Sequence, residues 1–422
     1  MDSRRPLTPA AIVAGIVLAG AGVPGFQADQ RPVFRTTAAL VAVDVQVVDR
    51  SGQPVAGLKP EDFTVELNGR RRRVVSAEMF HHSAGVAGAA GRDPAAAPGA
   101  VPGAPEGRNI ILAIDESSFR TLNALAAVQA VKRFVGRLNP ADLVGLYTYP
   151  VHGPEFVLTT DHAAVLEDLS HVVGTLHLPR SEYGLTVSEI ADVTAGDRDV
   201  LMSIARRVCP NNPSSCNTPI RDEAQSLALA FEGQVSQSVS GLRTLLTALR
   251  GYDGRKILVL VSAGLLATDR VGARPDVASL VDYIGRDAAA ANTTLYVLHM
   301  DSSFIDAFSP QGGRVSASFM RDAAALGAGL ERFAGIAGGT LLRVSAGTGD
   351  DMFDRVLRET SAYYLLGVEP EEEDRDGRPH RISVSVRGRG LEVQSRAFVV
   401  IPERGGLDRE RLTVLLAAAS AR

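Results

Sequence analysis

Asp115, Glu116 and Ser117 are the residues of this chain best placed to do chemistry. They close the stretch Asn109-Ile-Ile-Leu-Ala-Ile-Asp115-Glu116-Ser117-Ser118-Phe119. A short apolar run that stops at a polar turn reads as a strand buried on both faces, as in a parallel sheet. Polar residues at the carboxyl end of such a strand stand where open α/β sheets bind ligands. One chemistry they suggest is hydrolytic. Asp115, Glu116 and Ser117, joined by His299 from the end of a later strand, include the residue types of a nucleophile and its base. Nothing in the local spacing brings those groups within hydrogen-bond reach. The sequence also holds no Gly-x-Ser-x-Gly elbow, no His-Glu-x-x-His and no Walker loop. The reading is therefore of a protein that is not an enzyme.

Other reactive residue types are scattered. Cys209 and Cys216 are the only two cysteines, and a polar Pro-Asn-Asn-Pro-Ser-Ser lies between them. In an exported chain such a pair reads as a disulfide closing a small loop, with free thiols as the alternative. Two cysteines with no histidine close by make a poor zinc site. The arginines at 70–73 read as a solvated strand edge kept soluble by charge. His81 and His82 read as a linker end rather than a metal pair.

Composition sets bounds. The chain has 422 residues, enough for two or three domains, and is 45% hydrophobic and 22% charged. A net charge of −4 gives no sign of nucleic-acid binding. Residues 1–28 read as an export signal. Arg4 and Arg5 form its positive start, and the apolar stretch 10–22 is about half of a spanning length. An uncleaved N-terminal anchor is the alternative. No other stretch is apolar enough to span a membrane. The expected location is periplasmic or extracellular.

The elements that position these residues alternate along the chain. Residues 34–81 carry short strands, including one at 40–48 and two around the Asn68-Gly69 turn. Residues 82–107 are Ala, Gly and Pro with almost no large apolar side chains, which predicts a flexible linker. From 108 to 360 strands and helices alternate, implying a parallel sheet with right-handed crossovers. Strands are expected at 109–115, 143–149, 156–158, 256–262, 295–299 and 338–343. Helices are expected at 122–138, 163–173, 277–291, 317–335 and 350–359. Another helix carries Leu227, Val235, Val239, Leu242 and Leu246. Residues 174–220 read as an irregular insertion. Residues 361–402 return to strand patterns and are too short to make a good sandwich alone. They are expected to pair with 34–81 in one β-sandwich that holds or flanks the α/β unit. The tail 403–422 contains a short amphipathic segment.

The pattern around Asp115 resembles the first strand and metal loop of von Willebrand factor type A (VWA) domains, which read Asp-x-Ser-x-Ser. The spacing of Gly52, Pro54, Val55, Gly57, Leu58, Asp62 and Phe63 resembles an exported bacterial VWA-related family described mainly from Acidobacteria. The resemblance covers about 34–400. It implies a doubly wound α/β sheet and a divalent cation, such as Mg²⁺, above the sheet. Carried over residue by residue, the implied metal ligands are Asp115, Ser117 and Thr218. Phe119 replaces the second serine, and Ala263, in Ser262-Ala263-Gly264, replaces a second aspartate. Losing a carboxylate weakens a Mg²⁺ site badly. The resemblance thus implies a degenerate adhesion site, more consistent with no metal than with a bound one. It also implies an unidentified protein partner recognised through the loops above the sheet. The alternative is a structural envelope protein whose upper loops bind nothing.

Overall fold

The computed structural model describes residues 40–82, 107–150, 156–176, 181–252, 254–266, 278–300, 319–344 and 349–403. The expected export signal, most of the linker and the C-terminal tail lie outside them. Contacts gather the described residues into one compact unit.

The first three strands are β1 (Val41–Asp49), β2 (Phe63–Leu67) and β3 (Arg70–His81). Asn68 and Gly69 turn β2 into β3 with φ of 50° and 79°, a conformation that Asn and Gly accept at low cost. The α/β unit follows. It comprises β4 (Asn109–Asp115), α1 (Thr121–Val135), β5 (Leu143–Tyr149), α2 (His162–Asp168), α3 (Val187–Thr194), α4 (Arg198–Val208), α5 (Asn217–Leu249), β6 (Lys256–Ser262), α6 (Ala278–Ala290), β7 (Thr293–Met300), α7 (Phe319–Ala337), β8 (Thr340–Val344) and α8 (Gly349–Glu359). The chain then returns to β structure in β9 (Ala362–Glu369), β10 (Pro379–Val386), β11 (Leu391–Ser395) and β12 (Phe398–Val400).

Strands β4 to β8 form a five-stranded parallel sheet in the order β5-β4-β6-β7-β8. Every residue of β6 is buried, as its unbroken apolar run requires. Alternate residues of β4 serve two cores. Ile110, Leu112 and Ile114 pack with α1 and α8 on one face. Ile111 and Ala113 pack with α5, α6 and α7 on the other. The sheet is therefore doubly wound, and its order reverses between β4 and β6. The expected strand at 156–158 does not form. A single antiparallel bridge joins Val144 to Thr159 beside the edge strand β5.

The first and last strands share one sheet, in the order β11-β1-β9-β3-β2-β10-β12. The expected sandwich of two sheets is thus a single curled antiparallel sheet. The long strand β3 makes the corner. Its first residues pair with β2 and its later ones with β9, with the register shifting between Val74 and Ser76. Bulges of this kind let one strand serve both sides of a fold. Val43, Val45, Phe63, Val65, Leu366 and Ile382 meet inside the curl.

Buried polar contacts join the curled sheet and the α/β unit. Gln46 Nε2 donates to the Glu359 carbonyl at 2.5 Å, and the Tyr296 hydroxyl donates to Gln46 Oε1 at 3.2 Å. Arg108 grips Asp142 with two nitrogens, at 2.6 and 3.1 Å, and donates to Thr360 Oγ1 at 3.0 Å. The start of β4 is thereby tied to the residue after α8.

The described part of the insertion at 174–220 is mostly helical, not irregular. Asp197 caps α4 by accepting from the backbone of Asp199 and Val200. Thr186 and Glu189 form a capping box on α3. Helix α5 has 33 residues, about 50 Å at 1.5 Å per residue. Its later half lies on the parallel sheet. Its earlier half runs about 27 Å further and packs with α3 and α4 through Ile204, Ala205, Ile220 and Ala224. Cys209 and Cys216 form a disulfide joining the end of α4 to the start of α5.

Candidate functional site

Asp115 ends β4 and Ser262 ends β6, so both stand where the strand order reverses. That crevice is the ordinary ligand position of doubly wound sheets. Asp115 is only 2% exposed. The Ser117 hydroxyl donates to its Oδ1 at 2.7 Å. The Ser238 hydroxyl, arriving from α5, lies 3.0 Å from Oδ2 and 3.0 Å from Ser117 Oγ. Ser262 Oγ is 3.5 Å from Oδ2. One carboxylate is thus surrounded by three hydroxyls.

The loop after Asp115 is fixed from several sides. The Ser118 hydroxyl donates to the Asp115 carbonyl at 2.7 Å and accepts from the Ala263 amide at 2.9 Å. Gln234 Nε2 donates to the Ser117 carbonyl at 2.7 Å. Thr175 and Leu176 donate their amides to the carbonyls of Glu116 and Phe119, both at 2.9 Å. Gly174 passes so close that a Cβ there would lie 2.4 Å from the Phe119 carbonyl. Glu116, Ser117 and Ser118 are all buried as a result.

Burial pushes the Asp115 carboxyl up to about 6. The Ser117 and Ser238 hydroxyls and nearby backbone amides pull the other way without matching the loss of water. Beside the carboxylate is a cavity of about 10 Å³, walled largely by Tyr149, Leu242, Leu260, Leu330 and Phe333. It is at the lower limit for one water molecule.

Asp115 and Ser117 are brought together, as their spacing suggests. Thr218 is not with them. It is exposed in the first turn of α5, about 30 Å along the helix from Ser238 at 1.5 Å per residue. Ser238 holds the place that Thr218 was expected to fill. Phe119 is 1% exposed and turns into the core beneath α1. Ala263 contributes only its backbone. His299 is buried at the end of β7, with Nε2 3.2 Å from the Ala263 carbonyl, while Ser117 donates to Asp115. The nucleophile and base of a hydrolytic pair are not assembled by these contacts.

Mg²⁺ takes six oxygen ligands, usually several of them waters, with carboxylate charge to balance it. Among the described residues the donor set supplies one carboxylate, already accepting from hydroxyls, beside a space of about one water. It does not fit that ion. Among the described residues, no three His, Cys, Asp or Glu side chains converge as a metal-binding group.

The helical insertion covers this end of the sheet. Ile190 of α3 with Leu227 and Phe231 of α5 pack against Leu266 and the partly buried Leu326 of α7. Ser188 donates its amide to Asp322 Oδ1 at 2.7 Å, and Arg321 pairs with Asp192 at 3.2 Å.

The sequence matches no family model and no curated protein.

The remaining candidates have structural partners. Arg72 grips Asp374 through two nitrogens at 2.7 and 2.8 Å, and Arg70 pairs with Glu373. Part of the arginine run therefore faces the acidic turn after β9 instead of standing free in solvent. His82 stacks on Tyr363 at 5.7 Å, and burial lowers its pKa to about 4. Among the described residues no helix is long and apolar enough to cross a membrane.

Proposed function

We propose that the α/β unit is a VWA-type domain of an exported protein and that it binds a protein partner without a metal ion. The contact surface in this reading is the helical layer formed by α3, α4 and the first half of α5. The observation that carries it is the course of α5. The helix leaves the sheet and supports a separately packed layer, fastened by a disulfide, over the crevice where doubly wound sheets take ligands. Asp115 then braces the base of that layer through Ser238. The strand order and the place of Asp115 support the VWA assignment, and the disulfide supports export.

The test is site-specific photo-crosslinking in the exported fraction of the producing cell. Leu229, 55% exposed on α5, reports on the helical layer, and Val75, 41% exposed, on the curled sheet. A discrete cross-linked protein from position 229 that persists in chelator, and is absent from position 75, is the expected result. No such product, or one abolished by chelator, would sink the proposal.

A further inference from the structure

A second cleft lies away from the Asp115 crevice, where the curled sheet meets the loop between α7 and β8. Its volume is about 410 Å³, within the range of small-molecule sites. Its origin is a splayed hairpin. β10 pairs with β12 through Pro379, His380 and Arg381, and β11 diverges from β10 to pair with β1. The divergence opens a gap that Gly338, Gly339 and Thr340 approach from the α/β unit. Gly338 passes so near that a Cβ would lie 2.5 Å from the Ser395 carbonyl, so no side chain there can fill the gap.

The polar groups at this cleft are unequally satisfied. Gln46 spends its amide on Glu359 and Tyr296. Arg355 lies between two acids, 2.5 Å from Glu359 and 3.1 Å from Glu392. Both acids thus have a cationic partner. Gln394 lies directly across from Gln46 in the β1–β11 register, yet its buried Nε2 has no hydrogen-bond partner among the described residues. A buried donor left unpaired is costly. Arg381 lines the same cleft, exposed, and its side chain has no ion-pair partner among the described residues. Ser383, two residues on along the same face of β10, and Thr340 add hydroxyls.

We propose that this cleft binds a small carboxylate-bearing molecule, with the carboxylate held by Arg381 and by the Gln394 amide once that side chain turns toward the cleft. A guanidinium offers planar paired donors that match carboxylate oxygens, and the amide supplies the donor that is otherwise unused. The two hydroxyls suit a hydroxylated ligand body. The inference is independent of the function proposed for the helical layer.

The test uses the full-length chain, ¹⁵N-labelled, with citrate as the probe, inorganic phosphate as the competing anion and sodium chloride at matched ionic strength. Gln394→Leu assigns the side-chain amide resonance by its disappearance. The expected result is a saturable shift of that resonance with citrate, with affinity falling about tenfold in Arg381→Gln, the loss of one charge-assisted contact. Arg381 is exposed, so thermal unfolding of the free variant should match the parent, which separates lost binding from lost fold. The proposal is overturned by no saturable shift, by equal affinity in Arg381→Gln, or by a response to phosphate without one to citrate.

Discussion

Asp115 and Asp374 are both buried carboxylates, and their surroundings act on them in opposite directions. Asp374 faces the Arg72 guanidinium, whose paired hydrogen bonds hold its carboxyl below the usual carboxylate range. Asp115 has hydroxyls and backbone amides around it among the described residues, and burial raises it to about 6. The first arrangement belongs to two strands and a turn that must stay together. The second places a charge at the switch point of a doubly wound sheet with no countercharge beside it among the described residues. Local rules are broken most often at functional positions. That contrast directs attention to the crevice and the helices above it, and away from the arginine run.

The largest effect should come from breaking the paired site. Removing one partner of a buried ion pair leaves the other uncompensated. Arg72→Leu should therefore lose about 3–5 kcal/mol in urea unfolding at pH 7. Replacing both residues with apolar ones should recover most of that loss. A single variant close to wild type would show that the pair holds nothing. The contribution of Asp374 is present above its unfolded value of 3.8 and is lost as pH falls through its lowered folded value.

The opposite sign is expected at Asp115. Its folded value of about 6 lies above the ordinary 3.8, so the folded state takes the proton more readily. Stability from this group is full below 3.8 and lost as pH rises through about 6. Asp115→Asn cannot titrate. It should gain on wild type by about 3 kcal/mol as pH rises from about 4 to 8. Parallel stability curves for the two proteins would contradict the assignment of a buried, unpaired charge.

Ser238→Ala should show a smaller effect that links the two ideas. Losing one hydroxyl to a buried carboxylate costs about 1.5–3 kcal/mol. The same substitution should raise the Asp115 titration further, because one stabilising donor is gone. Carboxyl-carbon NMR of Asp115 reads this directly. An unchanged titration would mean that the contact with α5 does not tune the charge.

The two regions also differ in what the sequence reveals. Strand β6 is legible to the residue, because a strand buried on both faces must be continuously apolar. Asp115 and Ser117 are legible because only one residue separates them. Ser238 is not, since it reaches the site from mid-helix. Its signal is a small polar residue in an otherwise apolar stripe, between Val235 and Leu242. Thr218 misleads because α5 begins several turns above the sheet. The insertion could have been read as helical from the spacing of Leu201, Ile204, Ala205 and Val208 on α4. The Arg72–Asp374 pair is separated by 302 residues, and no local pattern announces it. The curled sheet fails as a predicted sandwich for a similar reason. The corner in β3 depends on a register shift that only its two partners define.

Calorimetric titration of the purified chain with Mg²⁺, Mn²⁺ and Ca²⁺, with Asp115→Ala alongside, tests the central claim most directly. A carboxylate enclosed by hydroxyls, with room for about one water, predicts no saturable heat at millimolar metal and no difference between the two proteins. Micromolar binding that Asp115→Ala abolishes would contradict the claim and restore a metal-dependent contact at the top of the sheet.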